Sequence, residues 1–306
     1  MSAIFTRLAT SLVVLFGVSL LVFLFIHFIP GDPVEVILGE TAQVADRDAL
    51  RSALGLDKPL SVQWLDYMAG LLSGDLGQSL YTRLPVSEMI AQRLPASIEL
   101  AVVAILISLA LSLPMGILAA VYKGRLWDFL SSSVMLMGIA IPNFVFGPAL
   151  VLVFSIWLGW LPVSGREGAT SLVLPAVTLG AVMAAILTRM LRSSLLEVLN
   201  EDYIRTARAR GLSPFQVLTR HALPNAMLPM LTVLGLQLGG LLAGAVITET
   251  VFDWPGLGRL TIEAIQKRDY PLLQGCILFI SFVYVVVNML TDILYHYIDP
   301  RIRCTT

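Results

Sequence analysis

The sequence predicts an all-α polytopic membrane protein with six transmembrane helices. Of its 306 residues, 57% are apolar and 13% are charged, which is about half the charged share of roughly 25% that is usual in soluble domains. Its charges are separated by long uncharged runs, and a helix needs about 20 such residues to cross a bilayer. The net charge of −1 leaves no basic excess, so nucleic acid is not an expected partner.

Six uncharged runs predict the spans, and they cover 8–31, 100–122, 129–165, 168–188, 221–248 and 270–291. The first run exceeds the apolar core of about 7 to 15 residues of a secretory signal, so we interpret it as a retained span. The third run contains Pro142 and Pro148. We predict one helix there over about 130–157, kinked at the prolines, with 158–162 at the membrane surface.

The distribution of basic residues predicts that both termini are cytoplasmic. This orientation places eleven basic residues inside and four in the short outer loops, as the positive-inside rule favours. The long outer loop, 30–97, carries nine acidic and five basic residues, and 46–54 in it favours helix. It is either a docking surface for an external protein or a folded lid on the helix ends. The predicted division is therefore 1–29 (N-terminus and first span), 30–97 (outer insertion) and 98–306 (core).

The spans hold few ionisable residues, which argues against an ion-coupled pump or an intramembrane enzyme. The deep polar positions are neutral, and they are Asn143, Thr178, Gln237 and Asn288. They either form hydrogen bonds between helices or line a solute pathway.

Metal and nucleotide sites are not expected in this chain. The two cysteines and three histidines are far apart in the sequence and topology, so they indicate no metal site. None of the three lysines follows a glycine-rich turn, so the sequence has no P-loop. Energy for uphill transport would have to enter from another subunit, and no cofactor is expected on this one.

The segment from about 195 to 225, the coupling segment below, follows the fourth run on the inner side. Residues 195–210 favour helix, with Tyr203, Ala207 and Arg210 on one face. Gly211 ends this helix because glycine accepts the left-handed conformation readily. Ser213-Pro214-Phe215-Gln216 then predicts a second helix that starts with a capping box.

The second helix is predicted to be short and to end before Leu223-Pro224, where the chain turns back into the fifth span. It exposes one stripe formed by Phe215, Leu218 and Ala222. A short, capped helix of this kind suits a groove on a soluble partner. The alternative is an amphipathic helix on the lipid surface.

The coupling segment resembles that of the integral-membrane permease subunits of ATP-binding-cassette importers. Their pattern E-A-A-x-x-x-G, nine residues, I-x-L-P aligns on 205–207, Gly211, His221 and 223–224, with Arg205, Thr206 and His221 departing from it. The string 203–211 is similar to the dipeptide, oligopeptide and nickel branch of this family. Further matching pieces lie at 30–33, 54–60, 254–259, 268–271 and 299–301.

The resemblance implies a subunit of the bacterial inner membrane with a cytoplasmic coupling helix and a periplasmic insertion after helix 1. Its implied partners are a second homologous permease, membrane lipid, a periplasmic or lipid-anchored substrate-binding protein, and two cytoplasmic ATPases that bind ATP and Mg. The implied cargo is di- or oligopeptides, with nickel or glutathione as alternatives. An ion-coupled secondary transporter and a membrane scaffold remain rival hypotheses.

By this resemblance the ATPase-coupling residues are Tyr203, Arg205, Ala207, Arg208, Gly211, Ser213, Phe215, Leu218, His221, Leu223 and Pro224. For the arginines, anchoring to anionic lipid is the alternative role. The outer turn 252–259 is interpreted as a structural corner in which Asp253 pairs with Arg259, or else as a gate or receptor contact.

Overall fold

A computed structural model of the chain describes residues 2–28, 34, 38, 43–53 and 55–298, without the side chains at 2–8, 25–28, 53, 242–244 and 292–298. The matching pieces at 30–33 and 299–301 lie outside the described residues. The chain packs as two compact units, Met1–Ser97 with Pro255–Val285 and Ile98–Trp254 with Val286–Thr306.

The regular structure of the described residues is helical. In chain order the helices are α1 Ser2–Phe28, α2 Val44–Ala53, α3 Leu60–Ser73, α4 Val86–Val121, α5 Leu126–Ala140, α6 Asn143–Leu150, α7 Val173–Val198, α8 Asp202–Ala209, α9 Pro214–Gln216, α10 Leu223–Val251, α11 Leu257–Lys267 and α12 Tyr270–Ile298. Turns of π-helix follow α6 (Val151–Trp157) and α9 (Val217–Ala222), and a 3₁₀ turn (Ala169–Leu172) precedes α7.

Four helical segments are long and apolar enough to cross a membrane, namely Val86–Val121, Ala169–Val198, Pro214–Leu241 and Tyr270–Thr291. A bent pair, Leu126–Ala140 with Asn143–Trp157, is a fifth candidate, and α1 contributes a shorter apolar stretch, Ala9–Leu24. These segments overlap the six predicted runs. The described residues thus establish a helical protein with several apolar spans, and the count of six stays a prediction.

The third predicted span is two helices rather than one kinked helix. The axes of the bent pair differ by 110°, because Pro142 holds Ile141 in an extended conformation with φ −92° and ψ 114°. The predicted end of the segment at Trp157 agrees with the structure. The proline in the apolar run predicted the position of the break but not the angle between the two helices.

In the first unit, residues from α1, α4, α11 and α12 form one apolar core. Its buried members are Val22, Val86, Ile90, Leu257, Leu260, Ala264, Leu272, Leu273 and Cys276. The loop before α4 is fixed to the start of α12 by Asp269, which is 1% exposed. Its carboxylate accepts hydrogen bonds from the Ser79 hydroxyl (2.5 Å) and the Leu80 amide (3.1 Å).

In the second unit, α7 is the central helix and packs against α5, α6 and α10. It also approaches α4 closely at Gly180, where an added Cβ would lie 2.7 Å from the Ala104 carbonyl oxygen. The C-terminal half of α7 belongs to a second core whose buried members are Ala120, Leu187, Leu191, Leu195, Ile204, Ala207, Val217, Ala222, Ala226 and Met230. This core places the coupling segment against α7 and α10.

Candidate functional site

The coupling segment begins with a break that the sequence did not predict. Residues 195–210 do not form one helix, because α7 ends at Val198 and α8 begins at Asp202. Glu201 between them is extended, with φ −68° and ψ 148°. The Asn200 side-chain amide donates to the Leu196 carbonyl (2.9 Å) and so satisfies one terminal acceptor of α7.

Helix α8 packs against the core through Ile204 and Ala207, and Ala207 is the one buried member of the face that the spacing identified. Ile204 is fully buried and Ala207 is 6% exposed, whereas Tyr203 is 41% exposed. Arg205 and Arg208 point outward, and Arg205 pairs with Asp202 one turn earlier at 3.2 Å. The arginines therefore line the rim of the segment and Ile204 anchors it, a role that sequence reasoning missed.

Gly211 forms the predicted turn between α8 and α9. Its φ is +79°, the left-handed region that side chains with a Cβ adopt at a cost. An added Cβ would meet no atom within 4 Å. Backbone conformation, rather than space, is therefore the reason for glycine at this position.

The capping box at the start of α9 is confirmed. The backbone amide of Gln216 donates to the Ser213 hydroxyl at 3.3 Å, and the backbone amide of Ser213 donates to the side-chain Oε1 of Gln216 at 3.1 Å. Pro214 follows at the first helical position, where its missing amide hydrogen is not needed. The helix therefore starts at one defined residue.

The structure corrects the predicted end of this second helix. The chain does not turn at Leu223-Pro224, because α9, the π turn and α10 follow one another with helical dihedral angles at each junction. Proline lacks an amide hydrogen and is tolerated where the hydrogen-bonding register changes, as it does after a π turn. Residues 213–222, the coupling helix below, are therefore the inner end of a helix that continues into α10.

The predicted stripe on the coupling helix is exposed at its start alone. Phe215 is 72% exposed, Leu218 is half-buried and Ala222 is fully buried. The buried positions face the core shared with α7, together with Val217. The result is an exposed aromatic side chain near the start of a helix whose Val217 and Ala222 are buried.

A polar contact ties α8 to the start of α10. The Asn225 amide donates to the Tyr203 hydroxyl at 2.9 Å and to the His221 carbonyl at 3.0 Å. Tyr203 and His221 were both predicted as coupling residues, and this contact brings them together. Asn225 itself was missed, because no local pattern indicates a partner 22 residues away.

An ion pair joins α5 to the C-terminal half of α7. Arg192 binds Asp128 with two hydrogen bonds, Nε to Oδ1 at 2.7 Å and Nη2 to Oδ2 at 2.9 Å. The Gly124 amide also donates to this carboxylate at 2.9 Å. Two parallel bonds from guanidinium to carboxylate fix orientation as well as distance, so the pair holds α5 against α7.

The four neutral polar residues lie in different surroundings. Thr178 is fully buried, and its hydroxyl donates to the Leu174 carbonyl of its own helix at 2.8 Å. Gln237 and Asn288 are half-buried. Asn143, directly after the bend, has a buried Oδ1 that accepts no hydrogen bond within the described part of the chain. Their role in a pathway stays a prediction.

The outer turn after α10 is built on buried aromatic rings. Phe252 and Trp254 are 1% and 0% exposed, and Asp253 between them has φ +54°. The Arg166 guanidinium lies 5.7 Å from the centre of the Trp254 ring and pairs with Glu99 at 2.6 Å. This burial favours the structural corner over an exposed receptor contact.

The predicted pairing of Asp253 with Arg259 stays a prediction. Arg259 pairs with Glu263 one turn along α11, at 3.0 Å.

Two sequence families match the chain. Residues 112–303 match the binding-protein-dependent transport system inner membrane component, and residues 1–101 match the N-terminal part of such membrane components. The chain is 43% identical to the dipeptide transport system permease protein of Escherichia coli K12, over 98% of both chains. It is 44% identical to the di/tripeptide transport system permease protein of Pseudomonas aeruginosa, over 99% of both, and 43% identical to the E. coli K12 glutathione transport system permease protein, over 97% of both.

The fold is similar to solved transporter structures. An inward-facing structure of the MetNI methionine ABC transporter superposes with a TM-score of 0.59, at 16% identity, over 69% of this chain and 96% of that one. An amino acid ABC transporter structure superposes with a TM-score of 0.53, also at 16% identity, over 70% of this chain and 94% of that one.

Proposed function

The chain belongs to the family of binding-protein-dependent transport system inner membrane components, and from this premise we propose the way in which it works as an ATP-binding-cassette importer permease. It is a multi-pass inner-membrane protein that forms a translocation pathway with a second homologous permease. In the proposed topology both termini are cytoplasmic. The six spans are α1, α4, the bent pair α5 and α6, α7, α10 and α12.

The coupling helix is the proposed contact for a cytoplasmic ATPase. The observation that carries this proposal is the 72% exposure of Phe215 at the tip of a capped helix whose other apolar residues are packed. Exposed aromatic side chains are typical anchors at protein interfaces, and a helix laid into a groove is a common mode of recognition. A helix bound to a lipid surface is normally richer in lysine and arginine than 213–222.

The proposed transmission follows the packing around this contact. Ile204 and Val217 are buried against the inner half of α7, and the coupling helix continues into α10. Because close-packed elements move as units, a displacement applied at Phe215 would shift α7 and α10 together. The two ATPases bind ATP and Mg, and this chain supplies no catalytic group. Arg205 and Arg208 lie at the rim of the contact, where they would pair with the ATPase or with anionic lipid.

We propose di- or oligopeptides as cargo, delivered by a periplasmic or lipid-anchored substrate-binding protein. Support comes from relatives named for dipeptide and di/tripeptide transport at 43% and 44% identity. A relative named for glutathione transport keeps glutathione as an alternative, and nickel is the other. Neutral groups such as Gln237 and Asn288 suit a peptide backbone, because amides both donate and accept hydrogen bonds.

Reconstitution of the complete complex in liposomes tests this function. With ATP inside and the substrate-binding protein outside, a radiolabelled dipeptide is expected to accumulate, and hydrolysis-deficient ATPases are expected to abolish the accumulation. Competition by glutathione or nickel would reassign the cargo. Accumulation driven by an ion gradient without ATP would indicate a secondary transporter, and absence of flux with any of these solutes would favour a scaffold. Either result contradicts the proposal.

A further inference from the structure

Helix α3, in the predicted outer insertion, packs against α1 well inside its apolar stretch. The Trp64 and Phe16 rings meet edge to face with centroids 5.6 Å apart, and Tyr67 stacks on Phe23 at 6.2 Å. Phe16 lies twelve residues before the end of α1, about 18 Å along the axis at roughly 1.5 Å per residue. The contact therefore extends from the middle of the span, at Phe16, toward its C-terminal end, at Phe23.

The remaining surface of α3 divides into two exposed flanks. At 3.6 residues per turn, one flank carries Gln63, Asp66 and Ser73 and is polar. The neighbouring one, the apolar flank, is formed by Val62, Leu65, Ala69 and Leu72, with the exposed Ser61 at its far edge. Leu65 is 60% exposed and Leu72 is 86% exposed, so the described part of the chain leaves these large apolar side chains uncovered.

The contacts with α1 give each flank a direction. Tyr67 borders the polar flank and meets Phe23, toward the C-terminal end of α1. Trp64 borders the apolar flank and meets Phe16, toward the middle of α1. Met68, on the same border as Trp64, lies 3.6 Å from the Ser19 hydroxyl. The polar flank therefore faces the outer end of α1, and the apolar flank faces the centre of the span.

The charged groups beside α3 lie on its outward side. The Lys58 ammonium pairs with Asp66 on the polar flank at 2.7 Å, and the Gln63 amide donates to the Lys58 carbonyl at 2.8 Å. A charge at the centre of a bilayer is strongly unfavourable. This arrangement keeps the charges toward water.

We propose that α3 lies in the plane of the outer membrane interface, with its apolar flank against the acyl chains of the outer leaflet. A soluble partner cannot reach a surface at the depth of Phe16, whereas Tyr67 and the charged pair Lys58–Asp66 lie toward the outer end of the span. An amphipathic helix with its polar side outward and its apolar side toward the acyl chains is typical of the interface. The inference rests on the proposed topology, in which α1 runs from the inside to the outside. It makes the insertion partly membrane-embedded, in addition to any contact it makes with an external protein.

Labelling of single cysteines in spheroplasts that express the whole complex tests the proposal. In a background carrying Cys276→Ser and Cys304→Ser, Leu65→Cys and Leu72→Cys are compared with Ser73→Cys on the polar flank. Leu12→Cys, at a position 67% exposed on α1, reports whether α1 spans the membrane. A membrane-impermeant sulfonated maleimide is expected to label Leu65→Cys and Leu72→Cys at least tenfold more slowly than Ser73→Cys.

A second measurement identifies what covers the flank. Bimane attached at Leu65→Cys in the complex, reconstituted in phosphatidylcholine liposomes, is expected to be quenched by phosphatidylcholine that carries a nitroxide on its acyl chain. Slow labelling without quenching would mean that protein covers the flank and would overturn the proposal. Labelling of Leu65→Cys as fast as Ser73→Cys would also overturn it, and slow labelling of Leu12→Cys in the same experiment would leave the topology standing. Fast labelling of both Leu65→Cys and Leu12→Cys would overturn the inference and the topology together.

Discussion

Replacement of Gly211 by valine should uncouple ATP hydrolysis from transport. Gly211 has φ +79°, and an added Cβ meets no atom within 4 Å, so the effect is purely one of backbone conformation. A residue with a Cβ adopts this conformation at a cost of roughly 1 to 2 kcal/mol, and a β-branched residue lies at the upper end. That cost lowers the population of the native turn relative to alternatives by a factor of about 5 to 30. Solute moved per ATP hydrolysed should fall several-fold as the coupling helix loses its fixed position.

The assay is uptake and phosphate release measured together in the reconstituted complex. Gly159→Val is a matched control, because Gly159 has φ +65°, open space around its Cβ and a position outside the coupling segment. It should keep the ratio of transport to hydrolysis, and both variants should insert into the membrane in normal amounts. A Gly211→Val complex that moves as much solute per ATP as the unchanged protein would refute the reasoning.

Three further substitutions test neighbouring parts of the account. Phe215→Ala should change the free energy of unfolding by less than about 0.5 kcal/mol, because the ring is exposed. In a binding titration it should weaken ATPase binding by about 2 kcal/mol, or roughly 30-fold. Arg220→Ala on the same helix is the control and should have a smaller effect on binding. Ser213→Ala should cost about 1 kcal/mol of capping energy, seen as roughly fivefold faster exchange of the backbone amides of Gln216 and Val217, and Ser213→Thr should restore protection. Arg192→Met leaves the buried Asp128 carboxylate without its cationic partner and should lower the free energy of unfolding by about 2 kcal/mol, measured by thermal unfolding in detergent. If the losses of Arg192→Met and Asp128→Leu add in the double variant, the two residues do not interact directly.

The part of the site that was predictable is the part fixed by local chemistry. The capping box depends on Ser213 and Gln216 three residues apart, and the turn depends on the tolerance of glycine for positive φ. Neither requires knowledge of the rest of the fold. Both occur in the structure at the residues the sequence indicated.

Contacts between residues that are distant in the chain could not be predicted from the sequence. Arg192 was counted as an inner basic residue, but its partner Asp128 is 64 positions away. The face that α8 buries through Ile204 is set by the shape of α7 beneath it, which spacing along α8 does not specify. Tertiary packing also decided that Ala222 is covered while Phe215, seven positions earlier, is exposed.

Hydropathy predicted the positions of the apolar helices in the sequence better than the directions of their axes. An uncharged run reports that a segment avoids water, but it carries no information on direction, so the 110° bend at Pro142 was taken for a kink. The assignment of the loop 30–97 to the outside stays a prediction, and the exposure of Leu65 and Leu72 beside α1 could not be predicted from hydropathy.

A photo-cross-linking amino acid placed at Phe215 in the assembled complex tests the central claim most directly. After irradiation, the account predicts a covalent adduct between this chain and an ATPase subunit, in a yield that changes when ATP is bound. Adducts with phospholipid alone would show that the exposed ring rests on the membrane, and the proposed coupling would then be wrong.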